Sequence, residues 1–116
     1  TDREPAFIAS ETIRAHVFKN THQEVPYATH VTIDTFTKQS HRTDIHATLW
    51  VERPAHKMIL VGHKGRTIKQ ISMGARQTLV RLLDATVHLK VWVKVQPNWS
   101  DDPEAIAQQD LSGSPT

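Results

Sequence analysis

Two glycines that bracket two residues, in the order Gly62, His63, Lys64 and Gly65, constrain the fold more than any other feature of this sequence. An apolar run at residues 58–61 leads into them, and a periodic helix leads out. The apolar residues of that helix recur at spacings of three and four and so share one face: Ile68, Ile71, Ala75, Leu79 and Leu82. The chain therefore makes a tight turn between two packed elements, and the second half of the turn opens a helix.

The backbone of this turn suits a phosphate group. The first N–H groups of a helix have no partner inside the helix, and the helix dipole adds partial positive charge there. Glycines allow another backbone to approach closely, and Lys64 and Arg66 add full positive charges. The turn is not a Walker phosphate loop, because that motif has four residues between its glycines. A glycine pair can also be a plain turn, so its surroundings decide what it does.

The distribution of charge points to a polyanionic partner. The chain has 116 residues and a formal net charge of only +2. Residues 53–83 nevertheless contain no Asp or Glu and carry seven of the 14 basic residues. A basic zone centred on a helix start favours nucleic-acid binding. The alternative is that these charges only keep a helix face soluble.

Several classes of function lack support in the sequence. With no cysteine, the chain has no disulfide, no thiolate nucleophile and no cysteine metal site. Its eight histidines are not at the spacing of a His-Glu-x-x-His zinc motif. Asp101 and Asp102 precede Pro103, where helix capping explains them better than a catalytic carboxylate pair. No apolar run approaches the roughly 20 residues of a membrane span, and no signal peptide is expected at the N-terminus.

Hydrophobic periodicity predicts an α+β domain. The expected order is a helix that starts at Pro5 or at Ser10 and ends at about residue 20, two strands at about 29–37 and 44–53, and a short helix at 55–61. The glycine turn at 62–65, a long helix at 66–83, a strand at 87–95 and a short C-terminal helix at about 102–109 follow. Each strand alternates, so one sheet face is covered by helices and the other is largely polar, which is a two-layer sandwich.

The predicted faces of the strands follow from that alternation. In the first strand, Val31 and Ile33 lie on one side, and Thr32, Asp34 and Phe36 lie on the other. The apolar positions of the other two strands are Ile45, Ala47, Leu49, Val51, Val87, Leu89, Val91, Val93 and Val95.

Two positions on the helices also carry expectations. His16, on the first helix, is predicted to be a surface residue. Gly74 lies inside the long helix, where glycine costs roughly 1 kcal/mol relative to alanine, and a close packing contact is the usual compensation.

The order of elements resembles a KH domain of the bacterial, type II arrangement (α-β-β-α-α-β), which implies a three-stranded mixed sheet with helices on one face. The likeness extends to the C-terminal domain of the Era family of bacterial GTPases. It rests on six stretches in the family's order: EVPY at 24–27, VER at 51–53, VGHKG at 61–65, AR at 75–76, LKVWVKV at 89–95 and WSDDP at 99–103. The strand LKVWVKV followed closely by Trp-x-Asp-Asp is the most specific part. The family usually has glycine where this chain has Ser72.

This resemblance implies binding of single-stranded RNA without chemistry. KH domains clamp the backbone of about four nucleotides with the glycine loop, while the bases lie in an apolar groove. The Era resemblance implies that the RNA is the 3′ end of the small-subunit (16S) ribosomal RNA, bound during ribosome assembly. The implied RNA-binding residues are Lys57, Ile59, Val61, Gly62, His63, Lys64, Gly65, Arg66, Lys69 and Arg76. Ile59 and Val61 would line the base groove, the four loop residues would hold the backbone, and the other cations would flank its path.

The resemblance also sets expectations for the rest of the protein. Residues 1–116 would form one KH domain, ordered over about 5–109, with a flexible tail at 112–116. The family's GTPase domain precedes the KH domain and none of its motifs occurs here, so GTP and Mg²⁺ would belong to the parent protein, and this chain would be no enzyme and need no cofactor or metal. Expected partners are single-stranded RNA, the small ribosomal subunit and the parent's GTPase domain. We expect a cytoplasmic monomer; a peripheral membrane association of the parent leaves no sign in these residues.

Three alternatives remain open from the sequence. The KH fold could belong to another ribosome-associated or transcription factor, it could serve protein–protein contacts, or the chain could be a small enzyme. The tail motif argues against the first, the retained loop glycines and lysine argue against the second, and no nucleophile–base pair supports the third. Trp50 and Trp92 lie on the polar sheet face, where they could stack on RNA or be covered by the C-terminal tail.

Overall fold

The computed structural model describes residues 3–98, with side chains from Pro5 onward. The elements are α1 (Arg3–Asn20), β1 (His30–Lys38), β2 (Arg42–Val51), α2 (Pro54–Val61), a single 3₁₀ turn (His63–Gly65), α3 (Arg66–Leu83) and β3 (Thr86–Val95). This order confirms the predicted type II arrangement. The predicted C-terminal helix and flexible tail lie outside the described residues.

The three described strands form one mixed sheet in the order β1-β2-β3. β1 and β2 are antiparallel neighbours, and β2 and β3 are parallel. A parallel pair needs a crossover, and α2 and α3 supply it. β3 is therefore an edge strand of the described sheet, and both α2 and α3 pack against it.

The core lies between the helices and one face of the sheet. Its main cluster combines residues of α1, the loop after it, β2 and both later helices: Ile13, Val17, Val25, Ala47, Leu49, Val51, Leu60, Ile71 and Ala75. A second cluster at the other end contains Ala9, Ile45, Leu79 and Val87. All the apolar positions predicted for β2 are buried, as are Ile71, Ala75 and Leu79 of α3.

The first strand departs from its predicted alternation. Ile33 pairs with Ala47 and Thr35 with His46, so Asp34 is an extra residue that the partner strand does not match. Such a β-bulge shifts the following side chains to the opposite face. Phe36 therefore packs against the second core cluster, and its predicted place on the polar side is wrong.

Leu82 was predicted on the buried face of α3, and it is 56% exposed. It lies in the last turn of that helix, beyond Leu79, where it lines a groove with Phe7 of α1 instead of meeting the sheet.

Polarity also fails to predict burial on the outer sheet face. There Thr48 and Trp50 are buried, and the Trp50 indole N–H donates to Thr32 Oγ1 at 2.8 Å.

His16 was predicted on the surface, but it forms part of the contact between α1 and α3. Its Nε2 lies 3.1 Å from Thr78 Oγ1, and its ring covers the position where Gly74 has no side chain. A Cβ at Gly74 would lie 2.5 Å from His16 Nδ1. The close contact expected at Gly74 is therefore present.

Among the helices of the described residues, none has both the length and the hydropathy of a membrane-spanning segment.

Candidate nucleic-acid interface

The glycine loop is a compact reversal held by its own backbone. The Gly62 N–H donates to the carbonyl of Met58 at 2.8 Å and closes α2. The Gly65 N–H then donates to the carbonyl of Gly62 at 3.1 Å. The next N–H, that of Arg66, donates to the carbonyl of His63. These bonds leave His63 and Lys64 exposed at the tip.

Positive backbone φ angles make the reversal possible. Gly62 has φ 77° and ψ 175°, a region that is essentially restricted to glycine. Lys64 has φ 55° and ψ 29°, and Gly65 has φ 76° and ψ 15°, both in the left-handed helical region. Because Lys64 has a Cβ, its left-handed conformation costs roughly 1–2 kcal/mol of free energy. Backbone strain of this kind is concentrated at active sites and ligand-binding sites.

The start of α3 presents positive potential at the loop. No side chain caps this helix, and its first turn has no acidic residue. Neither α2 nor α3 contains Asp or Glu, so no carboxylate of these elements offsets the helix dipole. The predicted cations Lys57, Lys64, Arg66 and Lys69 are all exposed. An anion that approaches the loop meets uncapped backbone and full charges together.

An apolar strip lies on α2 directly before the loop. Ile59 is 47% exposed and Val61 is half-buried. Met58 is 74% exposed and is not among the residues predicted to bind RNA. An exposed Met and Ile beside a basic loop form the kind of surface on which bases can lie. The only available signal was that the run at 58–61 has more apolar residues than one buried helix face can hold.

Arg76 is placed differently from the other predicted cations. It lies ten residues after Arg66, roughly 15 Å along the helix axis. Its Nε donates to the carbonyl of Val87 at 2.9 Å and so ties α3 to β3. Part of its donor capacity is thus used within the fold. Its role in RNA binding stays a prediction.

A buried histidine anchors the first turn of α2. His56 is buried, and its Nε2 lies 3.2 Å from Glu24 Oε2 in the loop after α1. The pKa of Glu24 is lowered by a hydrogen bond from its own backbone and, next, by the hydrogen bond to His56. Sequence reasoning did not find this pair, because the two residues are 32 positions apart and no local pattern connects them.

Within the described part of the chain, no group of three or more His, Cys, Asp or Glu side chains could hold a metal ion. The described site combines backbone N–H groups, exposed cations and a small apolar strip. This combination suits the phosphates and bases of a nucleic acid.

Comparison with known proteins shows the family to which this chain belongs. The KH domain profile matches residues 24–100, which include the loop, both flanking helices and all three strands. The chain belongs to the KH domain family. The matched residues include α2, the glycine loop and α3, together with β3, against which both helices pack.

The relatives of this KH domain confirm the resemblance to Era GTPases. The chain is 42% identical to GTPase Era of Pseudomonas putida (strain W619) over 106 residues, which cover 91% of this chain and 35% of that protein. It is 41% identical to GTPase Era of Lactobacillus helveticus (strain DPC 4571), over 93% of this chain and 36% of that protein. The chain thus spans about a third of the length of these relatives.

Two solved structures have the same fold. One is Aquifex aeolicus Era bound to GDP and AlF₄⁻, with a TM-score of 0.81 and 32% identity over 88% of this chain and 35% of that one. The other is Era in complex with MgGDPNP and nucleotides 1506–1542 of 16S ribosomal RNA, with a TM-score of 0.79 and 33% identity over 85% of this chain and 34% of that one. The fold class predicted from the sequence is confirmed by both.

Proposed function

We propose that this KH domain binds single-stranded RNA through the loop from Gly62 to Gly65, as the RNA-binding module of an Era-type GTPase. The observation that carries the proposal is the loop itself: an exposed lysine in a left-handed conformation, at an uncapped helix start, between two helices without a carboxylate. A sugar–phosphate backbone supplies the negative charge that this surface lacks.

In the proposed complex, backbone and bases are held by different parts of the site. The loop, with Lys64 at its tip, and the first turn of α3, which carries Lys69, hold phosphates, and Lys57 adds positive charge from α2. Bases lie along the apolar strip of Ile59 and Val61, which Met58 extends. The helix start and the cations set the register, and contacts to base edges supply sequence preference.

The target that we propose is the 3′ end of 16S ribosomal RNA in the small subunit. It is supported by the Era complex with nucleotides 1506–1542 of that RNA, whose protein has the same fold at 33% identity. The parent protein would carry a GTPase domain that binds GTP and Mg²⁺, as the names and nucleotides of the Era relatives suggest. In that arrangement this domain is a cytoplasmic RNA sensor and performs no chemistry itself.

Fluorescence anisotropy tests the proposal. A labelled RNA that copies the 3′ end of 16S ribosomal RNA is titrated with wild type, with the double variant His63→Asp/Lys64→Asp, and with Arg81→Asp as a matched control. Arg81 is exposed in the last turn of α3, far from the loop. We expect the double variant to lose binding while its circular dichroism spectrum is unchanged, and the control to keep most of its affinity.

Salt dependence adds a second readout. Each lost phosphate contact should reduce the slope of log K against log salt by roughly 1. We expect Lys69→Gln to show that change and Arg76→Gln a smaller one, because the Arg76 guanidinium already donates to Val87. Equal binding of the target and a scrambled RNA would exclude specific recognition. Equal binding by wild type and the double variant would exclude the loop as the site.

A further inference from the structure

The sheet face that points away from the helices contains a cavity that is separate from the glycine loop. Asp34, Thr35, His46, Trp92 and Lys94 line it, and its volume is about 270 Å³. That is close to the lower end of small-ligand sites, roughly 300 Å³. The glycine loop does not contribute to it, and the proposed function does not use it.

The β-bulge in β1 supplies the acceptor in this cavity. Asp34 is the extra residue of the bulge, and two hydroxyls hold its carboxylate. Thr48 Oγ1 donates to Oδ2 at 2.6 Å and Thr32 Oγ1 donates to Oδ1 at 3.0 Å. The Trp50 indole N–H fixes the Thr32 hydroxyl in turn. A carboxylate has about four acceptor positions, so each oxygen keeps capacity for an N–H from a ligand.

Aromatic rings and cations surround that acceptor. Trp92 is 43% exposed, and the His46 ring lies edge-on to it with centroids 5.3 Å apart. Lys94 Nζ lies 5.8 Å from the centroid of the Trp50 ring, an arrangement that positions the ammonium group beside the cavity. Lys90 is exposed two residues before Trp92 on the same side of β3. Exposed rings interleaved with cations suit single-stranded nucleic acid.

The cavity and the proposed loop site are on opposite sides of one edge strand. The apolar side chains of β3 face α2 and α3, whereas Trp92 and Lys94 lie on the opposite face of this strand. The C-terminal end of β3 is tied to the residues that lead into α2, since the Gln96 N–H donates to the Val51 carbonyl at 2.8 Å. An RNA strand that leaves the helical side needs only to cross this edge to reach the cavity.

We propose that the outer sheet face is a second RNA contact. One base of the segment beyond the four nucleotides at the loop stacks on Trp92, Asp34 accepts N–H groups from its edge, and Lys90 and Lys94 neutralise the adjacent phosphates. Guanine fits best, because its ring N–H and amino group are adjacent donors, whereas uracil offers one N–H between two carbonyls. This inference rests on the proposed RNA-binding function.

Nuclear magnetic resonance of the ¹⁵N-labelled chain tests the contact without involving the loop. The Trp92 indole signal is assigned with Trp92→Phe and followed during titration with guanosine 5′-monophosphate and, separately, uridine 5′-monophosphate. We expect the guanine nucleotide to shift this signal and the uridine nucleotide to leave it nearly in place. In Asp34→Asn, titrated in the same way, we expect the two nucleotides to cause more similar shifts of the Trp92 signal. A Trp92 signal that neither mononucleotide nor a long RNA moves would overturn the proposal.

RNA length separates this contact from the loop site. We expect Trp92→Ala to weaken binding of a decanucleotide roughly tenfold, as loss of one stacked base would, and to leave the affinity for a tetranucleotide unchanged. Tyr27→Ala is the matched control, because it removes another exposed ring, in the loop before β1. If Trp92→Ala binds the decanucleotide as wild type does, the second contact is excluded while the loop site stands. If the double loop variant still shows the Trp92 shift on addition of RNA, and wild type does not bind the tetranucleotide, the loop site fails and the second contact stands.

Discussion

The two loop glycines have nearly the same φ angle for different physical reasons. At Gly62 the combination of φ 77° and ψ 175° excludes other residues, and an added Cβ would overlap Thr67 Oγ1 and lie 2.8 Å from the Thr67 nitrogen. At Gly65 the left-handed conformation carries only its ordinary cost, since an added Cβ would meet nothing within 4 Å. The motif therefore contains one position with a steric requirement and one with a conformational preference.

We expect Gly65→Ala to lower the free energy of unfolding by about 1 kcal/mol and Gly62→Ala to lower it by roughly 3 kcal/mol, because overpacking against Thr67 adds to the backbone strain. Gly65→Asn should be milder than Gly65→Ala, since asparagine tolerates the left-handed region. Urea denaturation of the three variants measures these differences. Similar losses at both glycines would show that Thr67 moves away without cost.

At the scale of elements, α1 and α3 approach each other where a glycine faces a histidine. His16 fills the space over Gly74 and its Nε2 meets Thr78 one turn later. The contact joins residues 62 positions apart in the chain. It makes the backbone position of α3 dependent on a side chain of α1.

A double-mutant cycle tests this contact. In wild type, we expect Gly74→Ala to be neutral or destabilising, because the gain in helix propensity is offset by a Cβ that displaces His16. In the His16→Ala background the same change should stabilise the fold by about 1 kcal/mol, the difference in helix propensity. Thermal and urea unfolding of the four proteins gives a coupling energy, for which we expect roughly 0.5–3 kcal/mol. Additive effects would contradict the contact.

At the scale of the whole molecule, two residues with lowered pKa values make stability depend on pH in different ranges. Burial, and then the charge of Lys19, lower the pKa of His16 below its ordinary value of 6.5. The unfolded chain therefore takes up a proton at this residue before the folded chain does, and stability falls as the pH drops below about 6.5. The pKa of Glu24 is also lowered, from 4.5, so its contribution is present above that value and is lost at lower pH.

We expect His16→Gln to remove part of the stability loss between pH 7 and pH 5 and Glu24→Gln to change only the loss below about pH 4.5. Urea midpoints measured at half-unit pH intervals give both profiles. His22→Gln, a change at an exposed histidine near the end of α1, is the control. An unchanged slope between pH 7 and pH 5 in His16→Gln would show that His16 does not cause that loss.

Much of the fold could be predicted because its signals are local. Alternation over β2 and β3 and the three-and-four spacing in α3 depend only on neighbouring residues, and each identified the buried face. Phe36 was misplaced because alternation assumes an unbroken register, whereas Asp34 is an extra residue in the pairing of β1 with β2, and its carboxylate accepts hydrogen bonds from Thr32 and Thr48. Leu82 shares the apolar spacing of α3, but it lines a groove with Phe7 of α1 and is 56% exposed, and no pattern within α3 records the position of α1.

The sequence by itself determined the order and type of the described elements, the glycine loop with its exposed cations, and the two helices without carboxylates around it. All of these follow from residues that are near one another in the chain. Only the tertiary structure decided the bulge at Asp34, the burial of His56 beside Glu24, the use of Arg76 to hold β3, and the contact of His16 with Gly74. These depend on distances between residues far apart in the chain, and such distances are set by the packing of the whole core.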